Sequence, residues 1–325
     1  MSGRDSSLAE FIVYIPVWLI SKFTKHAPRF FSRLLWHSFA SAFWSLVKKR
    51  REIVLSNIRL AFPDMPEEKV ARIGFVSVNN ILRGVEQSCQ QERLNKNNID
   101  DVVKAVGLEN LEAAFKKGKG VILPTLHAYN METITAMVSL KGYPVNWVVR
   151  ELDNSFVYKI QLKMREAVGL NVIAKEKAMR RMIDALRRGE VLSFTIDQKA
   201  SLNGEWVKFL GIWSSTTKGP AVLHLRTGAP IVPIFPIPLE DGTHKALILP
   251  EIDYKPSGDK QKDVFAITQI LADLQSEYLR KHPEVWIWMH RRWSMKPNAE
   301  LLLELQKREE GFLSAGLKTD VSAIE

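Results

Sequence analysis

From residue 120 onward, short apolar runs alternate with helical patterns, and this alternation is the strongest constraint on the fold. Apolar runs of this length are typical of buried strands. The predicted strands lie at 120–126, 144–149, 191–196, 231–238 and 245–249, with an alternating strand between 201 and 212. The predicted helices lie at 130–140, 154–168, 176–188, 214–226 and 261–281. This order predicts an α/β fold with a mixed, mostly parallel sheet flanked by helices.

Composition divides the chain into three regions. Residues 1–48 are predicted to be a membrane anchor and an amphipathic helix, so the α/β fold carries an N-terminal helical membrane-anchoring region. Residues 49–296 form the main domain, with a helical lead-in to about residue 100 and the α/β core after it. The polar stretch 91–101 marks that boundary. Residues 297–325 are predicted to form a C-terminal helix and a polar tail.

The first predicted helix, at 8–23, is strongly apolar and contains Pro16. A helix of this length measures about 24 Å, which is shorter than the roughly 30 Å hydrocarbon core of a bilayer. The run therefore either spans the bilayer with its charged ends reaching outwards or lies in the interface. The next helix, at 28–47, places Arg29, Arg33 and His37 on one face among many aromatic residues. That pattern favours binding to an anionic membrane surface.

Charge supports a membrane partner. A basic cluster at 48–51 follows the two helices, which favours a cytoplasmic position for the main domain. The net charge of +10 indicates an anionic partner, either a membrane surface, a nucleic acid or an acidic substrate. The alternative for the N-terminal region is an amphipathic helix packed on a soluble protein.

Cys89 is the only cysteine. A single cysteine excludes a disulfide framework within the chain and a cysteine metal cluster. We expect the side chain of Cys89 to be buried.

Polar residues end three of the predicted strands, namely His127, Arg150 and Asp197. Because the carboxyl ends of parallel strands meet at one edge of a sheet, we expect these side chains in one crevice. Glu132 lies in the first turn of the helix after His127. A carboxylate on one ring nitrogen fixes the tautomer and leaves the other nitrogen free as a base. The sequence thus predicts a base formed by His127 and Glu132, the alternative being a buried histidine beside a helix-capping acid.

Several motifs resemble a known family. The spacing His127-x-x-x-x-Glu132 resembles the signature of the glycerolipid-type, or lysophospholipid, acyltransferases. The wider set consists of Asn57, Ala61-Phe62-Pro63, Asn130, Arg150, Asn154, Arg165, Gly169, Asp197-Gln198, Phe209, Gly211, Thr227-Gly228-Ala229 and the segment from Pro283 to Trp293. On these residues, from about 8 to 296, the chain looks like the late acyltransferases of lipid A biosynthesis, of the lauroyl or myristoyl transferase type.

The chain also departs from the family pattern. Tyr129 and Met131 stand where the family often has glycine and tryptophan, and Lys199 stands where a second acid is common. Leu210 replaces the second phenylalanine of a Phe-Phe-Gly motif. These changes leave the His127 and Glu132 pair intact and bear on which acceptor and which acyl chain the protein uses.

The resemblance implies transfer of a fatty acyl group from acyl carrier protein, or from acyl-CoA, to a hydroxyl of a lipid A precursor. It implies the cell inner membrane as location, with the catalytic body on the cytoplasmic side. It implies as partners acyl carrier protein, an anionic glycolipid acceptor and the bilayer, with no cofactor, no metal and no nucleic acid. His127 is expected to act as general base and Glu132 to hold its imidazole. The expected substrate-binding residues are Asn130, Arg150, Asn154, Asp197, Gln198 and Arg292.

Two alternatives remain open on the sequence alone. The first is an acyltransferase whose acceptor is another hydroxylated membrane lipid or glycolipid. The second is a non-catalytic membrane-surface or nucleic-acid-binding protein, because Trp286, Trp288 and Trp293 lie among basic residues. The alternation of Trp286 and Trp288 favours instead an extended segment packed on the body, with Arg292 facing an anionic head group.

Overall fold

The computed structural model describes residues 8–175, 178–201, 203–239, 241–315 and 324. Its N-terminal layer contains four helices, namely α1 (Leu8–His26), α2 (Arg29–Leu46), α3 (Lys48–Ala61) and α4 (Glu67–Gln90). Pro16 lies inside α1. Pro66 precedes α4, whose first turn carries Glu67 and Glu68, a favourable position for acids because the first turn has unpaired backbone N–H groups.

Within the described residues, the core consists of two sets of strands, one of four and one of three, that meet at Ile122. These are β1 (Val103–Val106), β2 (Val121–Thr125), β3 (Val145–Val149), β4 (Asn171–Ala174), β5 (Val191–Thr195), β8 (Ile234–Pro238) and β9 (His244–Ile248), while β6 (Glu205–Phe209) and β7 (Ile212–Thr216) form a separate hairpin. One set pairs in the order β2-β5-β3-β4, all parallel, and the other in the order β1-β9-β8. Ile122 joins the two sets, because its backbone exchanges hydrogen bonds with Pro230 and Val232. The predicted mostly parallel sheet is confirmed.

Helices cover both faces of the sheet. They are α5 (Leu108–Phe115), α6 (Met131–Leu140), α7 (Ser155–Glu166), α8 (Met179–Arg187), α9 (Gly219–Thr227), α10 (Lys260–Lys281) and α11 (Ala299–Ser314). Successive strand residues point to opposite faces. Val121 and Leu123 therefore pack in one buried cluster with residues of α6, whereas Ile122 packs in another with residues of α8 and α10.

The N-terminal helices pack on the body of the protein. The ring of Tyr14 in α1 contacts the ring of Phe156 in α7, with 5.2 Å between centroids. In α2, Trp36 and Ala40 are buried. Among the helices that the structure describes, none combines the length and the apolar character required of a bilayer-spanning segment. Residues 1–7 of the predicted anchor region lie outside the described residues.

The structure corrects the prediction for residues 214–226. Ile212–Thr216 is strand β7, antiparallel to β6, and the helix begins only at Gly219. Hydroxyl residues are common at helix starts, but the backbone groups of Ser214, Ser215 and Thr216 pair with β6 in the hairpin. The sequence also did not predict the short strands β1 and β4. Residues 176 and 177 of the predicted helix at 176–188, and residues 316–323 and 325 of the predicted tail, lie outside the described residues.

Candidate active site

Strand register brings His127 and Asp197 together. Thr125 at the end of β2 pairs with Thr195 at the end of β5 in the parallel ladder. His127 and Asp197 each follow two residues later, so equal spacing from a shared register places them side by side at the carboxyl edge of the sheet.

Asp197 orients the imidazole of His127 through its Nδ1 atom. The backbone N–H of His127 donates to Asp197 Oδ1 at 2.9 Å, and His127 Nδ1 lies 3.0 Å from the same oxygen. The indole N–H of Trp286 donates to Asp197 Oδ2 at 2.7 Å. Complete burial of Asp197 raises its pKa, but the interaction with His127 and these hydrogen bonds outweigh burial and hold the pKa below its usual value. The ionised carboxylate therefore selects the tautomer protonated on Nδ1, which leaves the lone pair on Nε2.

The loop after β2 is braced by a segment distant in sequence. Ile287 N–H donates to the carbonyl of His127, and Tyr129 N–H donates to the carbonyl of Val285. Asn57 in α3 in turn donates its side-chain N–H groups to the carbonyls of Trp288 and His290, at 2.7 and 2.8 Å. The motif at 283–293 thus positions the candidate base.

Glu132 does not pair with His127, contrary to the prediction. Its two carboxylate oxygens accept from Nη2 and Nε of Arg165 in α7, at 2.6 and 3.1 Å, and both side chains are largely buried. The helix α6 begins after Asn130, which has a left-handed φ of 62°. The first turn of α6 therefore presents its carboxylate to α7, while the neighbouring strand β5 supplies the carboxylate that reaches His127.

His127, Glu132 and Arg165 all line one cavity of about 400 Å³. Most of its remaining wall is apolar and comes from four helices, through Val17, Ile20, Trp36, Val85, Ile160 and Met164. Arg165 Nη1 is buried and has no hydrogen-bond partner among the described residues. A buried donor without a partner is unfavourable, so this nitrogen is available to an oxygen of a bound molecule.

Three of the predicted substrate-binding residues lie in different surroundings. Asn130 lines the cavity, and its side-chain amide lies 2.6 Å from His244 Nε2. Asn154 caps α7 by accepting from the N–H groups of Phe156 and Val157. Arg150 is 67% exposed, 3.5 Å from Asp153, and is absent from the wall of the cavity. A shared sheet edge is therefore insufficient to bring Arg150 to His127, since its long side chain turns to solvent.

The guanidinium of Arg292 donates a hydrogen bond to the backbone carbonyl of Gln198. Arg292 therefore has a structural role, contrary to the expected contact with a head group. Arg292 is fully buried. It donates to the carbonyls of Gln198 and Ser215, at 2.9 and 2.8 Å, and its guanidinium lies 4.9 Å from the ring centroid of Phe209. Burial lowers the pKa of Arg292 to about 10.

The three tryptophans of the C-terminal motif, Trp286, Trp288 and Trp293, are buried and belong to the main hydrophobic cluster. The interpretation of these residues as a nucleic-acid surface is therefore wrong, and the predicted packing on the body is confirmed. Cys89 is buried as predicted.

The sequence predicted no site role for Arg165 or Thr195, and for Trp286 it predicted only packing on the body. Arg165 and Trp286 belong to the motifs that carry the family resemblance. The motifs mark these residues as candidates, but they do not show that Arg165 pairs with Glu132 or Trp286 with Asp197. Thr195 Oγ1 lies 3.3 Å from His127 Nε2, a contact that only the strand order reveals. Among the described residues, no group of three or more histidine, cysteine, aspartate or glutamate side chains is arranged to hold a metal ion.

Comparison with known proteins identifies relatives. The profile of the family described as bacterial lipid A biosynthesis acyltransferase matches residues 5–295. The chain is 22% identical to the lipid A biosynthesis lauroyltransferase of Escherichia coli K12 over 77% of this chain and 81% of that protein. It is 25% identical to the lipid A biosynthesis palmitoleoyltransferase of the same organism, over 78% and 82%. It is 27% identical to a phosphatidylinositol mannoside acyltransferase of Mycobacterium tuberculosis, over 58% of each chain.

The buried arginine yields a test of stability. Replacing Arg292 by leucine removes the donors to two buried carbonyls, and we expect the free energy of unfolding to fall by about 3 kcal/mol. Chemical denaturation of the variant measures the loss. The neighbouring Arg291 is exposed and provides the matched control, because Arg291→Leu should leave the free energy of unfolding nearly unchanged. Equal effects of the two substitutions would contradict a structural role for Arg292.

Proposed function

This chain belongs to the bacterial lipid A biosynthesis acyltransferase family, and from that membership we propose the reaction that it catalyses. It is an acyltransferase that acts on a lipid. We propose that the donor is acyl carrier protein carrying a fatty acyl thioester, and that the acceptor is a hydroxyl of a lipid A precursor. The observation that carries the proposal is the pair formed by His127 and ionised Asp197 at the end of an apolar cavity.

The cavity suits an acyl chain. Its walls are mainly aliphatic and aromatic side chains of α1, α2, α4 and α7, and each buried methylene contributes about 0.8 kcal/mol to binding. A chain lying there would bring its thioester carbon to the polar end, where His127 and Arg165 are found. The cavity therefore supports a long-chain acyl substrate.

His127 acts as the general base in the proposed reaction. Its Nε2 takes the proton from the acceptor hydroxyl while the oxygen attacks the thioester carbonyl, so that a C–O bond forms and the C–S bond breaks. The imidazolium then returns the proton to the leaving thiolate. Asp197 stabilises the imidazolium without itself taking the proton. Base catalysis of this kind contributes about 10²- to 10⁴-fold to the rate.

Arg165 stabilises the charge that develops on the thioester oxygen. Its Nη1 is a buried donor that has no hydrogen-bond partner in the described part of the chain, and such preorganised donors act on the oxyanion of the tetrahedral intermediate. Glu132 holds the guanidinium through two hydrogen bonds. In this proposal the carboxylate of the His-x-x-x-x-Glu motif positions Arg165, and Asp197 orients the base.

Direct transfer is preferred to a covalent acyl-enzyme. Burial raises the pKa of the Cys89 thiol to about 12, so it stays protonated. The hydroxyls of Ser21 and Ser88, which also line the cavity, donate to carbonyls of their own helices. Thr195 is near His127 Nε2 but does not line the cavity. We propose that the acceptor hydroxyl replaces Thr195 at Nε2.

A second acceptor is favoured by one observation. The chain is 27% identical to a phosphatidylinositol mannoside acyltransferase, whose name states a different glycolipid. Acylation of another hydroxylated membrane glycolipid, with acyl carrier protein or acyl-CoA as donor, is therefore the alternative function.

Mass spectrometry of lipids distinguishes these acceptors and tests the site. Cells that produce the protein should contain a lipid with one additional acyl chain, and the mass identifies both acceptor and chain. His127→Ala and Asp197→Asn should remove that lipid, because the variants lose the base or its correct tautomer. Asp253 is exposed, and Asp253→Asn serves as the control that retains it. An unchanged lipid profile with His127→Ala would contradict the proposed base.

Replacing Thr195 by valine tests direct transfer. Valine has nearly the same shape and lacks the hydroxyl, so acyl transfer should continue close to the wild-type rate. Intact-protein mass spectrometry after incubation with the donor alone should detect no added acyl mass. An acylated wild-type protein together with an inactive Thr195→Val variant would instead establish a covalent intermediate on Thr195.

We propose that α1 and α2 attach the protein to the inner membrane from the cytoplasmic side. One face of these helices packs on the body, and the other exposes apolar side chains. The exposed set includes Ile12, Val13, Trp18, Leu19, Phe23, Phe30, Phe31 and Leu34. Exposed apolar side chains in this number, next to basic residues, support binding in the interface of an anionic membrane.

Substitution of three exposed residues tests this attachment. Replacing Phe30, Phe31 and Leu34 by serine should weaken binding to vesicles of phosphatidylethanolamine and phosphatidylglycerol by about tenfold to hundredfold, because less apolar area enters the interface. Leu303 and Leu313 on α11 are similarly exposed, and their serine variant is the control. If both variants sediment with vesicles like the wild type, the proposed membrane face is wrong.

A further inference from the structure

Four arginines line a second cavity, of about 230 Å³, that opens on the surface. Arg29 and Arg33 lie one turn apart on α2, Arg83 lies on α4, and Arg93 follows α4. The turn between β8 and β9 closes the cavity through residues 241–243. We propose that this arginine cavity binds the phosphate of a lipid head group, and that it does so for the lipid acceptor of the proposed function.

The guanidinium groups of Arg29, Arg33 and Arg83 form no ion pair with any carboxylate in the part of the chain that the structure describes. Guanidinium groups bind phosphate through two parallel N–H donors. A cluster of them without acidic partners is therefore a site for an external anion.

The acidic residues that line the same cavity do not form ion pairs with these arginines within the described structure. Glu86 is buried and accepts from the hydroxyl of Ser32. Asp241 accepts from the backbone N–H and the hydroxyl of Thr243, which lower its pKa. Asp101 also lines the cavity, and in the described structure its carboxylate forms no ion pair with these arginines. These acids moderate the positive charge, and within the described residues they leave the guanidinium groups of Arg29, Arg33 and Arg83 without an ion pair, while Arg93 donates to the carbonyl of Lys25.

The turn at Gly242 holds two of the positive charges side by side. Gly242 has a φ of +87°, and a Cβ at this position would lie 2.2 Å from Nη2 of Arg33 and 3.4 Å from Nη2 of Arg83. Both guanidinium groups thus approach the same point of the backbone. Like charges in such proximity repel each other, and an anion bound between them removes that repulsion.

The arginine cavity is connected to the catalytic loop. The guanidinium carbon of Arg83 lies 5.7 Å from the ring centroid of Tyr129, which follows His127 by two residues. The hydroxyl of Tyr129 accepts from Gln87, whose side chain also lines the cavity. A phosphate held here would place the rest of the same molecule beside His127. Tyr129 is also a position where the chain departs from the usual family pattern.

The position of the cavity favours a lipid as the source of the phosphate. Arg29 and Arg33 share two turns of α2 with Phe30, Phe31 and Leu34, which are exposed. The cavity therefore lies beside the proposed membrane face, and this position favours a lipid of that membrane as the source of the phosphate. Arg150, one of the expected substrate-binding residues, is not among the residues that line this cavity.

A binding experiment with a soluble lipid tests the proposal without relying on catalysis. Dioctanoyl phosphatidic acid, below its critical micelle concentration, is titrated into the full-length protein, and dioctanoylglycerol is the uncharged match. The wild type should bind the phosphorylated lipid and not its match. Arg33→Gln and Arg83→Gln should each lower that affinity about tenfold, since each removes a charge-assisted pair of hydrogen bonds.

Controls separate the possible results. Arg72 is exposed on the same helix as Arg83, outside the cavity, and Arg72→Gln should bind like the wild type. The exposed Arg29 allows a milder substitution if the Arg83 variant does not fold. Equal affinity of wild type, Arg29→Gln and Arg33→Gln would overturn the proposal, and inorganic phosphate binding as tightly as the lipid would overturn the head-group assignment. His127→Ala should bind the probe normally, so a protein that binds but never acylates refutes only the proposed reaction.

Discussion

The candidate site depends on the hydrogen bonds that surround the Asp197 carboxylate. A buried charge is strongly unfavourable unless it is fully paired, and Asp197 accepts from the backbone and ring of His127 and from the indole of Trp286. The first two contacts require the register of β2 with β5. The third requires the segment 285–287, which also pairs with the loop after β2. The C-terminal motif therefore belongs to the site, because Trp286 completes the set of hydrogen bonds to the Asp197 carboxylate.

Helix α4 separates the two cavities. Its Gly84 lies directly on the loop after His127, since a Cβ there would be 3.2 Å from the backbone nitrogen of Asn130. Residues of α4 that line the apolar cavity and those that line the arginine cavity fall on different faces of the helix, as its period of about 3.6 residues requires. A helix of the sequence-predicted lead-in thus lies between the proposed subsites for the acyl chain and the head group.

The strand-end argument predicted that His127 and Asp197 share an edge of the sheet, because each follows an apolar run. It could not decide which carboxylate reaches the imidazole. That choice depends on strand order, which places β5 next to β2 and β3 beyond β5, and strand order is set by packing across distant parts of the chain. Glu132 has the expected spacing, but its partner Arg165 lies 33 residues away. The burial of Arg292 was equally hidden, since an arginine is ordinarily a surface residue.

Helix α2 explains why the N-terminal region is difficult to interpret from sequence. A simple amphipathic helix has one apolar and one polar face, whereas α2 exposes apolar side chains on one side and carries both buried residues and arginines on the side that packs on the body. Ser32, Trp36 and Ala40 are buried against the body. Phe30, Phe31 and Leu34 are exposed, and Arg29 and Arg33 line the arginine cavity. The sequence pattern assigned the arginines to the membrane surface, although they border a cavity. In the proposed function one helix therefore attaches the protein to the bilayer and receives the phosphate of a substrate that stays in it. A membrane-bound acceptor then needs no exit from the lipid phase to reach His127.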